Sequence, residues 1–132
     1  MLVNWRDAPR AMSMRAGADR QVVSGQHSSV VRVVTEPTAV FNGEEHRHAN
    51  EQWLVVIRGR VRVICDGDEV DAATGDVVFF PAHSWHAAIG VGPEGCEYLE
   101  LSAPPRFDLL PGGLLPSPME FRRPSGVHAG NR

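Results

Sequence analysis

Short apolar runs, each followed by turn-forming residues, constrain the fold of this chain more than any other feature of its sequence. The runs are rich in valine and aromatic residues, which favour strands, and no window of a dozen residues has the 3.6-residue period of a helix. Many short strands in succession predict an all-β fold, either a sandwich or a barrel. The predicted strands are Ser29–Thr35, Ala39–Phe41, Gln52–Ile57, Val61–Cys65, Val77–Phe80, His86–Val91 and Tyr98–Leu101. Turns are predicted at Asn42-Gly43, Arg58-Gly59, Asp66-Gly67, Thr74-Gly75 and Gly92-Pro93.

The strand-rich region lies between two irregular ends. The 132 residues are enough for one domain, since domains commonly have about 100–150 residues. Residues 1–20 have no sustained period and are expected to form an N-terminal arm or a short strand. Residues 21–110 form the predicted domain. Residues 111–132 are rich in proline and glycine, and we expect no regular structure in this C-terminal tail.

Charge and hydropathy exclude several classes of partner. The formal net charge of -3 argues against nucleic-acid binding, which usually requires a basic face. The longest apolar run, Trp53 to Ile57, is far shorter than the ~20 residues of a membrane-spanning helix. Cys65 and Cys96 match no metal or redox spacing, and the first twenty residues contain no apolar segment typical of a secretory signal. We therefore expect a cytoplasmic protein that binds neither nucleic acid nor membrane.

Four of the six histidines occur in two tight groups, His46 with His48 and His83 with His86. Residues i and i+2 of a strand point to the same face, so His46 and His48 can present two imidazoles to one divalent metal ion. A pair of surface or core histidines would give the same spacing. A further ligand from Gln52 or Glu51 would require the chain to turn near Asn50, because a straight strand would place Gln52 ~13 Å from His48. Strand alternation does not choose between these two residues.

Two segments that contain these histidines resemble the paired motifs of the cupin superfamily. Residues 43–52, GEEHRHANEQ, with Gly59 beyond them, are similar to the first motif, in which two histidines precede an acidic ligand. Residues 75–86, GDVVFFPAHSWH, are similar to the second, although His83 stands where that motif usually has glycine. The resemblance spans about residues 25–110 and implies a small bacterial cupin with a single jelly-roll β-barrel. It also implies a homodimer.

The resemblance implies a metal site formed by His46, His48, Gln52 and His86. The family's glutamate ligand lies seven residues before the motif glycine, and that position is Gln52 here. The implied cofactor is one divalent first-row metal ion per chain, and the choice among nickel, zinc, manganese, cobalt and iron stays open. Four neutral ligands would leave the ion's charge near +2, which favours Lewis-acid chemistry over oxidation of the metal.

Residues 98–108 are similar to the end of bacterial cupins that linearise unsaturated uronates during pectin and alginate breakdown. That similarity implies that Glu100 transfers protons and that Arg106 binds a substrate carboxylate, whereas Ser102 replaces the aromatic residue found between them in that group. Arg106 and Asp108 can equally form a surface ion pair.

The favoured interpretation is a Lewis-acid enzyme that isomerises or tautomerises a small sugar acid or keto acid, so that its substrate is a small anion. One alternative is a metal-dependent dioxygenase of a β-diketone or a catechol-like substrate. The other is a non-catalytic cupin that binds a sugar or another metabolite.

Overall fold

Strands account for almost all of the regular structure. The computed structural model describes residues 1–112 and 115–123. Within this part of the chain there are two short 3₁₀ turns, Trp5–Asp7 and Phe107–Leu109, and no helix with the length and apolarity needed to span a bilayer. The strands are β1 Arg10–Ala11, β2 Ala18–Ser24, β3 Ser29–Thr35, β4 Glu45–Arg47, β5 Glu51–Cys65, β6 Asp68–Ala73, β7 Val77–Phe80, β8 His86–Ala103 and β9 Glu120–Arg122.

All strand pairs are antiparallel and form one curled sheet. One path through it runs β1-β2-β3-β8-β4-β9, and β5 pairs with β6, β7 and β8. The two longest strands, β5 with 15 residues and β8 with 18, pair along most of their length. The sheet curls into a half-barrel, which confirms the all-β prediction.

The predicted turns at Arg58-Gly59 and Gly92-Pro93 are wrong, because both dipeptides lie inside long strands. The β5–β8 pairing instead shifts register on either side of Gly59, which pairs with Cys96. Gly59 has φ +81°, and a Cβ there would collide with the carbonyl oxygen of Gly95. A glycine at a bulge produces the same local sequence signal as a glycine in a turn. The bulge therefore joins two predicted strands into β5.

The core lies inside the half-barrel and shows the effect of this bulge. Before it, the even-numbered residues Leu54 and Val56 point inward, with 3% and 1% of their surface exposed. After it, the odd-numbered Val61 and Val63 do so, with 0% and 1% exposed. One extra residue reverses the side-chain alternation of a strand, so both halves of β5 can bury their valine-rich face. Each such buried side chain contributes about 1.5–3 kcal/mol relative to an exposed one.

The two ends of the chain add strands to the sheet. β1 fits the short strand expected in the arm, whereas Ala39–Phe41 is not a strand. The prediction of a tail without regular structure is wrong for β9, which pairs with β4. Arg122 anchors β9 through two contacts. It forms an ion pair with Glu45 at 3.2 Å, and its guanidinium makes a cation–π contact with Trp85, 4.4 Å from the centre of the ring. Residues 113–114 and 124–132 of the predicted tail lie outside the described residues.

Candidate metal centre

Strand pairing brings the two histidine motifs together. His46 lies in β4 and His86 begins β8, and these two residues are direct partners in the β4–β8 pairing. The centres of their rings are 4.4 Å apart. His48 follows β4, and its ring centre lies 5.0 Å from that of His86 and 5.9 Å from that of His46. One potential ligand nitrogen from each histidine lies within 4.8 Å of the other two, so these residues can hold a metal ion.

Backbone carbonyl groups orient two of the three imidazoles. Nδ1 of His48 lies 3.0 Å from the carbonyl oxygen of Asn50, and Nδ1 of His86 lies 3.0 Å from that of Ser84. A carbonyl oxygen only accepts, so each Nδ1 carries the proton and each Nε2 keeps its lone pair. Both Nε2 atoms are buried without a hydrogen-bond partner among the described residues, as is Nδ1 of His46. Unpartnered lone pairs directed to one point fit a metal ion, which needs neutral imidazoles at about 2.0–2.1 Å.

The surroundings keep these imidazoles uncharged. Burial, with the neighbouring His86 and His48, lowers the pKa of His46 to about 2. Burial, with the charge of Arg106, lowers the pKa of His48 to about 4. Burial also lowers the pKa of His86. All three rings are therefore neutral near pH 7, which is the form that binds a metal ion.

Gln52 points inward and lines the same cavity as His46 and His86. Its side chain is 3% exposed, whereas Glu51 lies on the exposed side of the strand. The amide Nε2 donates a hydrogen bond to Oε2 of Glu100, and Oε1 is buried with no partner among the described residues. The amide oxygen is thus the free atom of this side chain.

A narrow cavity of about 40 Å³ adjoins the histidines. It has room for about three water molecules, at roughly 10–15 Å³ each. Glu100 reaches it from β8, where the flanking inward residues Tyr98 and Ser102 are 3% and 2% exposed. Burial raises the pKa of the Glu100 carboxyl, and the charges of Arg20, Arg106 and Arg15 oppose that rise.

Arg106 also lines the cavity and has a carboxylate partner. Its Nε and Nη2 donate to the two carboxylate oxygens of Asp108 at 2.9 and 3.0 Å. The alternative of an Arg106–Asp108 ion pair is correct about the pairing but not about its location, because the two side chains are only 4% and 6% exposed and the pair is buried. Asp108 therefore holds the guanidinium rigidly at the cavity wall.

The cavity also contains residues that the sequence analysis did not single out. Arg15 and Met14 come from the arm, Arg20 from β2, and Met119 from the segment before β9. The sequence predicts no strand at β2, so it gives no signal for the inward position of Arg20. His83 lies outside the histidine group, exposed in a turn with φ +64°.

The sequence matches the family model described as a cupin domain over residues 31–102, more than half of the chain. The chain belongs to the cupin family. No curated protein matches it significantly. The jelly-roll prediction is confirmed by the fold that this cupin shares with solved structures.

Three solved structures illustrate that shared fold. An RmlC-like cupin from Shewanella frigidimarina is 23% identical, with a TM-score of 0.66 over 82% of this chain and 94% of its own. KdgF from Halomonas sp. is 21% identical, with a TM-score of 0.67 over 80% and 94%. A variant of Streptomyces PAC13 with uridine is 16% identical, with a TM-score of 0.70 over 93% and 90%. Pac13 is described as a nucleoside dehydratase.

Proposed function

We propose that this cupin is a metal-dependent enzyme that isomerises or tautomerises a small anionic sugar acid or keto acid. One observation carries the proposal: Gln52, Glu100, His46 and His86 line one cavity, in which the Gln52 NH₂ donates to Glu100 and the amide oxygen has no partner among the described residues. This arrangement combines neutral metal ligands and a proton-transferring group within one cavity.

In this proposal His46, His48, His86 and Gln52 hold one divalent first-row ion. The unpartnered nitrogen and oxygen atoms of these side chains support that assignment. When bound, such an ion supplies Lewis-acid stabilisation of negative charge on a substrate oxygen. The four neutral ligands would leave the positive charge of the ion near +2. This favours Lewis-acid chemistry over the dioxygenase alternative.

Glu100 is the proposed proton carrier. The hydrogen bond from Gln52 fixes Oε2, and Oε1 is left to exchange a proton with a substrate carbon or hydroxyl. Burial raises the pKa of the carboxyl, which brings it nearer to neutral pH than an exposed glutamate and so favours proton exchange there.

Arg106 is the proposed contact for a substrate carboxylate. A guanidinium has five N–H donors, and Asp108 engages only Nε and Nη2. The donors on the Nη1 side remain for a second carboxylate. A sugar acid needs more room than the present cavity offers, and rotation of the unbranched side chains of Met14 and Met119 would enlarge it.

The decisive experiment is turnover of an unsaturated galacturonate monomer by zinc-loaded protein. Linearisation removes the conjugated double bond, so the ultraviolet absorbance of the substrate falls. We expect Glu100→Gln to lower turnover ~10²–10⁴-fold with unchanged zinc content, which is the usual contribution of general acid–base catalysis. Glu94→Gln, an exposed position on the same strand, is the matched control and should keep full activity.

Two results would contradict the proposal. Full turnover by Glu100→Gln would remove the assigned role of that carboxyl. Oxygen consumption by iron-loaded protein with a β-diketone or a catechol, with no turnover of the uronate, would favour the dioxygenase alternative.

We also propose that two copies of the chain form a homodimer through the outer face of β5 and β7. Trp53 is 45% exposed and Phe79 is 39% exposed, and their ring centres lie 4.4 Å apart on paired strands. Val77 and Leu101 extend this apolar surface. Exposed aromatic surface of this kind favours protein–protein contact. Light scattering should give a dimer for the native protein and a monomer for Trp53→Arg; a monomeric native protein would contradict the proposal.

A further inference from the structure

Arg20 occupies an unusual position for a charged residue, on the inward face of β2. Its neighbours on that face are Ala18, which is 7% exposed, and Val22, which is fully buried. Arg20 pairs with Val33 of β3, a core residue that is 2% exposed. Arg20 itself is half-buried, so it loses part of its hydration, and a compensating partner would offset that cost.

The described residues provide Arg20 with only a partial partner. Its Nε donates to the carbonyl oxygen of Met12 at 2.8 Å, and its Nη2 donates to the same oxygen. None of the ion pairs in the described part of the chain includes Arg20. Glu100 is the carboxylate that most affects its pKa, yet it is engaged by Gln52 and lies beyond ion-pair distance. The Nη1 donors of Arg20 therefore have no partner within residues 1–112 and 115–123.

The two inward-facing arginines of the cavity differ in this respect. Arg106 is neutralised by a bidentate contact with Asp108, whereas Arg20 makes no ion pair among the described residues. Both line the same cavity, together with His46, Gln52 and Glu100. An anion that enters this cavity gains more from Arg20 than from Arg106, because no carboxylate of the described residues lies within ion-pair distance of Arg20.

We propose that Arg20 is the principal anchor for the anionic group of the substrate and that Arg106 makes a secondary contact. The arm takes part, since the Met12 carbonyl group orients the guanidinium and Arg15 adds another positive charge to the cavity lining. The inference rests on the proposed function for the class of ligand, a small sugar carboxylate.

The test compares binding of D-galacturonate with that of D-galactose, its neutral counterpart, to zinc-loaded protein. Saturated galacturonate lacks the double bond that is lost on linearisation, so its binding is measured separately from that reaction. We expect Arg20→Met, which keeps the unbranched stem, to weaken galacturonate binding about tenfold or more (about 1.4 kcal/mol) and to leave galactose binding unchanged. Arg20→Lys, which keeps the charge, should restore part of the affinity. Arg10→Met, an exposed arginine of β1, is the matched control.

A direct readout accompanies the affinities. The ¹⁵N–¹H signal of the Arg20 Nε group should shift in a saturable manner with galacturonate in the native protein. Three results would overturn the inference: unchanged galacturonate affinity in Arg20→Met, a larger loss in Arg106→Met than in Arg20→Met, or no saturable binding by the native protein.

These outcomes separate the anchor from the proposed function. Tight binding of galacturonate through Arg20, without turnover of the unsaturated uronate, would support the anchor and contradict the enzyme. Turnover that is insensitive to Arg20→Met would support the enzyme and contradict the anchor.

Discussion

The atoms that side chains leave unpaired determine what the candidate site can bind. His48 and His86 use Nδ1 for backbone carbonyl groups, which leaves Nε2 of each ring available. Gln52 uses its NH₂ on Glu100, which leaves the amide oxygen available. A metal ion would satisfy all of these atoms at once, and buried polar atoms without partners are otherwise costly by about 1–3 kcal/mol each.

The first prediction concerns metal content. We expect about one divalent first-row ion per chain in native protein, measured by elemental analysis after gel filtration. The four proposed ligands would together complete one four-coordinate site. His46→Ala/His48→Ala should lose the ion because only His86 and Gln52 would remain. Equal metal content in both proteins would show that the ion is bound elsewhere.

The second prediction distinguishes two adjacent residues of β5. Gln52→Ala should weaken metal retention during dialysis against a chelator, by about 10–100-fold in affinity, because it removes an inward ligand. Glu51→Ala is the matched control and should leave retention unchanged, since Glu51 lies on the exposed side of the strand. The reverse order would mean that the chain turns one residue earlier and that a carboxylate is the fourth ligand.

At the scale of elements, the bulge in β5 and its contact with β8 position the site. The bulge lets Gln52 and Leu54 point inward on one side of Gly59 while Val61 points inward on the other. Gly59 and Gly95 approach each other too closely to admit a side chain. The pairing of β5 with β8 therefore depends on glycine at this point.

The third prediction follows from this contact. Gly59→Ala should lower the free energy of unfolding by more than the ~1–2 kcal/mol that a left-handed backbone conformation costs a non-glycine residue, because its Cβ would also meet the backbone of β8. Gly67→Ala is the matched control, with φ +88° and open space around the added Cβ, and should show the conformational cost alone. Denaturant unfolding measures both values. Equal losses would show that β8 yields to the added methyl group.

At the scale of the whole molecule, burial of neutral imidazoles links stability to pH. The folded pKa values of His46 and His48, about 2 and about 4, lie below the value of 6.5 expected for an unfolded chain. Below pH 6.5 the unfolded chain therefore binds protons that the folded chain does not, and folding becomes less favourable as the pH falls. Glu100 acts in the opposite direction. Its raised pKa stabilises the folded state in acid, and this stabilisation is lost as the pH rises.

The fourth prediction is that metal-free protein loses stability steadily between about pH 6.5 and pH 4, since three buried histidines outweigh one carboxyl over this range. Thermal unfolding at a series of pH values measures the effect. His48→Gln should flatten the dependence because glutamine does not titrate. A stability that is constant from pH 7 to pH 4 would contradict the buried neutral state of the imidazoles.

The sequence by itself determined the features that depend on neighbouring residues. Alternation and β-branched content located β3 and β7 at their observed bounds, and the His46–Arg47–His48 spacing indicated a metal half-site. Resemblance to the cupin motifs extended this to His86, the partner that β4–β8 pairing places beside His46. These signals can be read from the sequence because side-chain direction along a strand repeats every two residues, whichever strand pairs with it.

Only the tertiary structure decided which distant segments meet and which side of each strand is buried. Gly59 in a bulge and glycine in a turn have the same local sequence signal, so the continuity of β5 depended on β8 lying across it. The inward position of Arg20, the burial of the Arg106–Asp108 pair and the pairing of β9 with β4 are likewise contacts between segments far apart in the chain. Such contacts form because curling of the sheet buries more apolar surface than any single strand can, and a local sequence pattern does not encode which segment packs against which.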